Sequence, residues 1–486
     1  MTMPTSIGRD YRFLIDGKLV PAQSGATAGV IDPATEETIA MVPSGDSRDV
    51  ASAVEAADRA FPQWRATSVR ERAAMCVALA DLIDQHREEL GELESRDTGS
   101  CIGPMTADVD KASATMRYFA GLAPELKGMT VPASTRGLHF TIRQPYGVVA
   151  GIAAFNHPLM FAAAKMTAPL IAGNTVVLKP PPQAPLTTLV LGELAASVFP
   201  PGVFNIVSGE GSDVGESLVA DPRVRRITLT GSVPTGKAVM RSAADNLADV
   251  TLELGGKNPL IVFPDAEVDA AARGAIKSMN FGWQGQSCGS TSRILDHDSL
   301  HDAFVQRLVE LVEDMRVGSP QDPDTEIGAL VSRAQYDRVL GAIDDAIEDG
   351  ATLLTGGKRP ADQPRGFYVE PTVFDGVTEA MRIFTYEIFG PVLSIVTWSD
   401  EQEVIRLANA TDFGLTANLY TNDLATILRV LPEIDAGFVW VNGQGEHFLG
   451  LPYGGVKQSG IGTEEGLEQL LSFTQTKSVS LLTLPT

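Results

Sequence analysis

The feature that most constrains the fold is a regular alternation of strand-like and helix-like segments that begins after Gly147. Val148–Ala154 is predicted as an apolar strand, Leu159–Ile171 as a helix and Thr175–Leu178 as the next strand. Alternating strands and helices with short connections are typical of βαβ units around a buried parallel sheet. Because ligands of such sheets bind beyond the carboxyl ends of the strands, we expect a functional site in the loops that follow them.

The alternation continues to Leu254 and repeats between Leu260 and Val441, so the sequence predicts two α/β domains. The residues before position 145 begin with short strand-like runs. Two helices are predicted after those runs, at Ser47–Phe61 and Ser68–Ser95.

Charge and cysteine content exclude several functional classes. The net charge is −23, from 38 Lys+Arg against 61 Asp+Glu, and so acidic a surface repels nucleic acid and anionic lipid. Three cysteines make no disulfide framework and the histidines show no metal-ligand spacing, so we expect a cytoplasmic protein without a metal site. The N-terminus lacks the apolar segment of a secretory signal. Polar residues and prolines interrupt the apolar stretch Val148–Ile171, so we expect no membrane helix.

Two glycine-rich loops follow predicted strands and are candidate phosphate-binding turns. Gly231–Ala238 nearly matches a P-loop, but Ala238 stands where that motif has the Ser or Thr that holds Mg²⁺. A glycine turn at a helix N-terminus still offers free N–H groups and a positive dipole end to a phosphate. Gly209–Gly215 misses the dinucleotide-binding fingerprint by one residue. For both loops the alternative is a tight strand-to-helix turn without a ligand.

The segment Gly285–Gly289 fits two different nucleophiles. Its residues, Gly-Gln-Ser-Cys-Gly, match the elbow of serine hydrolases with Ser287 as the nucleophile, but that elbow needs a strong strand before it. The preceding Asn-Phe-Gly-Trp-Gln has no strand pattern. Cys288 in the same loop is a candidate thiol nucleophile, and its alternative is a plain loop cysteine. Cys76 lies among apolar residues of a predicted helix and Cys101 in a Gly/Pro-bordered turn, so neither is expected to react.

Seven short segments carry a set of motifs in a fixed order along the chain. They are Phe155–Pro158, Lys179–Pro180, Thr230–Ser232, Glu253–Pro259, Gly285–Cys288, Glu387–Pro391 and Pro452–Gly460. With this set the chain resembles the aldehyde dehydrogenase superfamily, in its NAD(P)-dependent, non-acylating form. Any one motif could arise by chance, but the complete set in order identifies the chain as a member. The resemblance covers nearly the whole chain, from about Val30 to Val479.

The resemblance implies an α/β fold of the aldehyde dehydrogenase type, with two doubly wound parallel-sheet domains and a small β oligomerisation extension. The expected parts are a cofactor-binding domain (1–120 and 143–255), a catalytic thiol domain (256–447), the extension (121–142 and 466–486) and a glycine-rich active-site loop (448–465). The tail Val479–Leu484 is β-like and able to pair with the sheet of another subunit. We therefore expect a homodimer or homotetramer.

The resemblance also implies which residues carry the chemistry. Cys288 is expected to attack the aldehyde carbonyl, because hydride loss requires a tetrahedral carbon. The Asn156 side-chain amide and the Cys288 N–H are expected to stabilise the oxyanion. Glu253 is the expected general base for hydrolysis of the thioester, with Lys165 and Glu464 as a proton relay. Taken without the resemblance, Asn156 is an amide that closes a turn and Glu253 a carboxylate that ends a strand.

A nicotinamide cofactor is the expected partner of the glycine loops. By resemblance Lys179 contacts the adenosine ribose, Ser232 the pyrophosphate, and Glu387 and Phe389 the nicotinamide ribose and ring. The further expected cofactor-binding residues are Pro182, Gly211, Gly231, Gly236 and Leu254. Many NAD-preferring relatives carry a ribose-binding glutamate where this chain has Pro182. Without that carboxylate nothing repels a 2′-phosphate, so the sequence leaves NAD and NADP as open alternatives for the cofactor.

The expected substrate pocket departs from the aromatic walls of relatives. It contains His157, His447, Phe448 and Tyr453, a mixed polar and aromatic set that suits an aromatic or medium-length aldehyde. No arginine falls into the pocket motifs, which disfavours a substrate with a carboxylate. The alternatives are a dehydrogenase that transfers the acyl group to coenzyme A, a hydrolase or nucleotide-triphosphate binder, and a catalytically silent protein on the same fold. Glu253 argues for hydrolysis, because acylating relatives lack this glutamate.

Overall fold

The computed structural model describes residues 9–134, 137–443, 445 and 447–482. Within these residues one sheet has eight strands, which the helices of the first half of the chain cover. In spatial order the strands are Lys18–Val20, Phe13–Ile15, Phe204–Ile206, Thr175–Lys179, Val148–Ile152, Val224–Thr230, Asp249–Glu253 and Gly460–Ile461. The five strands from Phe204–Ile206 to Asp249–Glu253 are parallel, as the alternating pattern predicts.

The order of these five strands creates a crevice at the middle of the sheet. Counted along the chain, their spatial order is 3-2-1-4-5. The connections therefore leave in opposite directions on either side of the junction between Val148–Ile152 and Val224–Thr230. Val148, Val149 and Ala150 are fully or almost fully buried because helices cover both faces of the sheet. Such a switch point opens a ligand crevice beyond the carboxyl ends of the strands.

The helices of this first domain agree with the sequence pattern except in one region. The predicted helix Ser68–Ser95 is two helices, Val69–Gln85 and Arg87–Thr98, and a further helix, Ile102–Leu122, was not predicted. Its buried face mixes apolar residues with Thr106, Asp108 and Ser113, which hides the helical period. The helices are Ser47–Ala66, Val69–Gln85, Arg87–Thr98, Ile102–Leu122, Pro158–Ala172, Leu186–Ala196, Glu216–Ala220, Val233–Asn246 and Leu467–Ser472.

A second sheet of seven strands forms the core of the other α/β domain. Its strands in spatial order are Thr352–Thr355, Thr372–Asp375, Val392–Trp398, Arg293–His297, Pro259–Val262, Thr416–Tyr420 and Phe438–Val441. All pairs are parallel except Thr352–Thr355, which pairs antiparallel at the edge. The helices are Val268–Ser278, His301–Glu313, Arg333–Glu348, Arg382–Thr385, Glu401–Asn409 and Leu424–Val430.

One buried arginine fastens this sheet to its neighbouring helix. The Arg293 guanidinium donates hydrogen bonds to the carbonyl oxygens of Lys257, Leu407 and Ala408, at 2.9, 2.8 and 2.8 Å. Leu407 and Ala408 lie in the last turn of Glu401–Asn409, where carbonyls lack helical partners and favour a positive charge. Arg293 therefore fixes the turn that leads from the first domain into the second.

The third sheet contains the chain's tail. Thr474–Leu482 pairs antiparallel with Gly137–Pro145 over nine residues, and Gly137–Pro145 pairs with Thr130–Ser134. The tail strand begins earlier than Val479 and lies against this chain's own sheet, while residues 483–486 fall outside the described part. The expected boundary at 142 cuts the strand Gly137–Pro145.

The glycine-rich segment 448–465 is more than a loop. Gly460–Ile461 pairs with the end of Asp249–Glu253 and extends the first sheet, while Val456–Lys457 pairs with Phe413–Gly414 of the second domain. This segment therefore contacts both domains beside the crevice. In the described part of the chain, no helix is long and apolar enough to cross a membrane.

Candidate active site

A cleft of about 800 Å³ lies at the switch point of the first sheet, where the second domain closes its outer side. Its lining contains ten of the residues that the sequence singled out. They are Asn156, Lys179, Pro182, Gly211, Gly231, Ser232, Leu254, Cys288, Glu387 and Phe389. The fold thus brings the glycine loops, the strand ends and the cysteine loop to one space.

The glycine loops take the strand–turn–helix form that a phosphate site needs. Ser232 caps the helix Val233–Asn246, whose N-terminus faces the cleft through Pro234 and Thr235. The other loop forms one wide helical turn, Gly211–Gly215. Gly236 does not line the cleft. A Cβ there would come within 2.7 Å of Leu254 Cδ1, so this glycine allows the helix to pack closely on Leu254.

Lys179 is a buried cation at the far end of the cleft. Its Nζ donates to the Pro180 carbonyl at 3.1 Å, and burial lowers its pKa to about 8 although Glu210 opposes the shift. Pro182 lines the same region without offering a hydrogen-bonding side chain. The polar side chains of Gln183 and Glu216 line the same cleft.

Glu387 connects the second domain to the turn after Glu253. Its carboxylate accepts a hydrogen bond from the Gly256 N–H at 2.9 Å, and burial raises its pKa. A Cβ on Gly255 would lie 2.1 Å from the same carboxylate, so only glycine fits this position. Phe389, at φ 59°, packs edge-on against Phe155 with a centroid separation of 5.6 Å. Both residues therefore keep fixed positions in the cleft.

The cysteine loop is held by side-chain amides. The Asn258 amide donates to the carbonyl oxygens of Cys288 and Ser290, at 2.7 and 2.9 Å. Phe281–Trp283 before the loop is a short 3₁₀ turn, so the strand that a serine-hydrolase elbow requires is absent from this described segment. Ser287 faces a small separate cavity with Glu387. The geometry therefore offers Cys288, and not Ser287, to the cleft.

The surroundings of Cys288 favour the neutral thiol. Burial, followed by the nearby Glu253 and Glu387 carboxylates, raises the pKa of Cys288 to about 12. The hydroxyl of Tyr453 opposes this shift as a hydrogen-bond partner of the thiol. Cys76 and Cys101 are buried, with their pKa values also raised to about 12 by burial, and they lie outside the cleft.

Glu253 ends its strand with a buried carboxylate that has no hydrogen-bond partner for either oxygen. Burial and then the Glu464 charge raise its pKa well above the ordinary value, whereas Lys165 opposes the shift. The Lys165 Nζ donates to Glu464 Oε1 at 3.1 Å and to Thr228 Oγ1 at 3.3 Å. The predicted relay residues are thus in contact with each other and electrostatically coupled to Glu253.

The predicted pocket residues fall into two groups. Tyr453 and His447 pack with Phe438 and Trp440 beside Cys288, and their ring centroids are 4.5–6.1 Å apart. Phe448 is 75% exposed and covers nothing in this group. His157 lies elsewhere, against Trp283 and Asp108.

Several site residues escaped prediction. Asp108 lies on the helix that was not predicted. The only feature of the sequence that could have drawn attention to it is an acidic residue within an Ala- and Met-rich segment. Gln335 and Arg338 line the cleft and donate hydrogen bonds to the backbone carbonyls of residues 387–389. Their local sequence contains no motif that predicts these contacts. Glu465 pairs with His447 at 2.8 Å. Each depends on contacts between distant segments.

Comparison with known proteins agrees with this geometry. The model of the family described as "Aldehyde dehydrogenase family" matches residues 19–479. Aldehyde dehydrogenase tropH of Talaromyces stipitatus is 46% identical over 475 residues, which cover 96% of this chain and 92% of that protein. The crystal structure of PnpE from Pseudomonas sp. WBC-3 superposes with a TM-score of 0.95, at 40% identity and 98% coverage of both chains. The NAD⁺ complex of a Bacillus cereus aldehyde dehydrogenase gives 0.95, at 38% identity and coverage of 98% and 97%.

The chain therefore belongs to the aldehyde dehydrogenase family. It is an NAD(P)-dependent oxidoreductase that acts on aldehydes, and its fold is the two-sheet α/β fold that the sequence resemblance predicted. This family does not agree with the hydrolase and the nucleotide-triphosphate binder that the sequence analysis kept as alternatives.

The raised pKa of the Cys288 thiol predicts how the free enzyme reacts with iodoacetamide. Since the thiolate is the nucleophile, the alkylation rate should rise about tenfold per pH unit between about pH 7 and 9 without a plateau. The rate is measured by mass spectrometry of the Cys288 peptide, and Cys288→Ala should take up no label because the other two thiols are buried. A plateau below about pH 9 would contradict the prediction.

Proposed function

We propose that this enzyme oxidises its aldehyde to a free carboxylic acid through a thioester on Cys288, with Glu253 as the general base. The observation that carries the proposal is the convergence of the Cys288 thiol and the Asn156 amide on one cleft, with the Glu253 charge acting on that thiol. The intact set argues against a catalytically silent protein.

In the first half-reaction the Cys288 thiolate attacks the carbonyl carbon, and a C–S bond forms as the carbonyl oxygen becomes an oxyanion. The Asn156 side-chain amide and the Cys288 N–H donate hydrogen bonds to that oxygen, where each donor typically contributes about 100-fold or more in rate. A nicotinamide cofactor held at Lys179, Ser232, Glu387 and Phe389 would supply the acceptor for the hydride that leaves the same carbon. Collapse of the oxyanion leaves a thioester on Cys288.

In the second half-reaction Glu253 removes a proton from water, which attacks the thioester carbon and expels the Cys288 thiolate. Burial raises the pKa of Glu253, and a carboxylate with a raised pKa takes a proton from water more readily than an exposed one. Lys165 and Glu464, in contact at 3.1 Å, are the proposed route by which the proton leaves Glu253. This hydrolysis yields a free acid without coenzyme A.

The proposed cofactor site suits a dinucleotide with or without a 2′-phosphate on its adenosine ribose. The turn at Gly231 and Ser232 suits the pyrophosphate, because it leads into a helix N-terminus. Lys179 suits the adenosine ribose, while Glu387 and Phe389 suit the nicotinamide end. Pro182 carries no charge to repel a 2′-phosphate, so we propose that both NAD⁺ and NADP⁺ are used.

Substitution of Glu253 by Gln should separate the two half-reactions. Because the amide cannot accept the proton from water, steady-state turnover should fall by about 10²–10⁴-fold. A burst of one reduced cofactor per site should remain, followed in stopped-flow absorbance, with the acyl group on Cys288 detected by intact mass. Glu401→Gln, in an exposed pair with Arg429, is the matched control. Turnover of Glu253→Gln that coenzyme A restores would favour the acylating alternative.

Substitution of Pro182 by Glu should shift the cofactor preference toward NAD⁺. The new carboxylate would repel a 2′-phosphate, so the ratio of kcat/KM for NADP⁺ over NAD⁺ should fall by roughly 10- to 100-fold. Pro182→Ala removes the ring without adding charge and should leave the ratio within about threefold. Equal ratios in the two variants would refute the electrostatic explanation.

We further propose an aromatic or medium-length aldehyde as the substrate. A cluster of aromatic rings beside Cys288 supports this proposal, because such rings offer a flat apolar surface to an apolar group. The cluster consists of Phe438, Trp440, His447 and Tyr453. A cytoplasmic location is proposed because Cys288 must stay reduced to react.

The three-stranded sheet supports the proposed homodimer or homotetramer. It exposes apolar side chains, which are Val131, Leu138, Ile142, Leu481 and Leu482 at 38–64% exposure. Leu138 and Leu481 are direct cross-strand partners, so they form one patch. Such a patch is more often an interface than a free surface.

Leu138→Glu should therefore weaken self-association, because it places a charge in the patch. Light scattering after size exclusion should give the mass of an oligomer for the wild type and a lower mass for the variant. Leu247→Glu, at a leucine outside this sheet that is even more exposed (84% against 49% for Leu138), should keep the wild-type mass. A monomeric wild type would rule out the interface.

A further inference from the structure

The side chain of Tyr453 reaches the cysteine loop from the segment 448–465, which contacts both domains. Its hydroxyl is a hydrogen-bond partner of the Cys288 thiol, and Cys288 packs against the buried cluster that contains the Tyr453 ring. A Cβ built on Gly289 would lie 3.3 Å from the Tyr453 Oη, so the hydroxyl lies directly against this loop. Tyr453 therefore touches the sulfur atom that would react.

Backbone and ring contacts fix the direction of this side chain. The Tyr453 N–H donates to the Glu464 carbonyl at 2.9 Å, and the Glu464 N–H donates to the Tyr453 carbonyl at 2.6 Å. The Tyr453 ring packs against Phe438 and His447, with centroid separations of 5.6 and 4.5 Å. The hydroxyl is therefore held beside the thiol in the free protein.

Packing explains the ring of Tyr453 but not its hydroxyl. The residue is 7% exposed and lies among other rings, where phenylalanine would fill nearly the same volume. A buried hydroxyl without a hydrogen-bond partner costs free energy. Within the part of the chain that the structure describes, Cys288 is the partner of this hydroxyl. The sulfur atom therefore accounts for a tyrosine at this position.

The charge of the sulfur decides how strong this hydrogen bond is. A neutral thiol is a weak donor and a weak acceptor, whereas a hydrogen bond to an ionised group is about twice as strong as a neutral one. Burial, followed by the charges of Cys288 and of two carboxylates, raises the pKa of Tyr453 well above its ordinary value, so the phenol keeps its proton. Those carboxylates belong to Glu253 and Glu465. The contact therefore favours the thiolate over the thiol.

We propose that Tyr453 is a further catalytic residue, whose hydroxyl donates a hydrogen bond to the Cys288 thiolate before attack and again when the thioester is cleaved. Glu253 and Glu387 face the same sulfur from other elements, and both carboxylates disfavour a negative charge on it. When the C–S bond forms, the electron pair of the sulfur enters that bond and the negative charge moves to the carbonyl oxygen. When water cleaves the thioester, the pair returns to the sulfur, and the phenol keeps its own proton throughout. This inference rests on the proposed function of Cys288 as the nucleophile.

Tyr453→Phe tests the hydrogen bond, because it removes the hydroxyl and keeps the ring. The rate at which iodoacetamide alkylates Cys288 in the free enzyme should fall by roughly 3- to 10-fold at each pH between about 7 and 9, because less thiolate is present. The loss of thiolate itself is larger, since a thiolate of higher pKa is also more nucleophilic. The rate is measured by mass spectrometry of the Cys288 peptide, without aldehyde or cofactor.

A second variant should change the rate in the opposite direction. Tyr453→3-fluorotyrosine keeps the hydroxyl, and the fluorine makes the phenol a stronger donor, so alkylation of Cys288 should become faster than in the wild type. A loss of folded protein cannot produce this result. An unchanged rate in both variants would overturn the proposal. A faster rate in Tyr453→Phe would also overturn it, because the thiol would then be the donor to the hydroxyl oxygen.

The matched control is Tyr336→Phe. Tyr336 is also 7% exposed, and its hydroxyl accepts a hydrogen bond from Arg359 Nε at 3.1 Å, but it does not line the cleft. Its substitution should leave the alkylation rate of Cys288 at the wild-type value. An equal fall in Tyr336→Phe and Tyr453→Phe would show a general loss of structure and would contradict a specific role for Tyr453.

Stopped-flow measurement of cofactor reduction separates this inference from the proposed reaction. In Tyr453→Phe the burst of reduced cofactor should be slower than in the wild type by a factor similar to that for alkylation. If Cys288→Ala still oxidises aldehydes, the proposed nucleophile fails, and the catalytic role of Tyr453 fails with it. If Cys288→Ala is inactive but Tyr453→Phe is alkylated and reduces cofactor at wild-type rates, only the role of Tyr453 fails.

Discussion

The segment from Glu253 to Asn258 connects the two sheets, and its close packing holds the two halves of the site together. Gly255 passes so near the Glu387 carboxylate that a Cβ would lie 2.1 Å away, and a Cβ on Gly256 would lie 2.7 Å from the Cys288 carbonyl. Asn258 then donates to that carbonyl at 2.7 Å. Any side chain at these glycines would push the Glu387 carboxylate or the Cys288 carbonyl away from the segment that follows Glu253.

The electrostatics of the cleft follow from burying several acids around one thiol. Glu253 and Glu464 are buried and Glu387 is partly buried, and the buried Lys165 pairs with Glu464 at 3.1 Å. Burial therefore raises the pKa values of Glu253 and Cys288 in the free protein. Burial and the two nearby carboxylates thus favour the neutral form of the Cys288 thiol.

The same fold allows local departures at the edges of the cleft. Pro182 lies in the turn after the strand Thr175–Lys179 and lines the cleft without a charged group. His157 packs on Trp283 and contacts Asp108. Both residues lie in turns after strands of the first sheet, outside its regular elements.

The sequence by itself determined the α/β class and most strands, because the hydrophobic period is a local property of the chain, and its motifs predicted which residues line the cleft. It did not reveal the helix Ile102–Leu122, whose buried face includes polar residues, nor the pairing of Gly460–Ile461 with the first sheet. Only the tertiary structure decided that Asp108 meets His157 and that Phe448 faces solvent. Those contacts join segments far apart in sequence, and packing alone sets them.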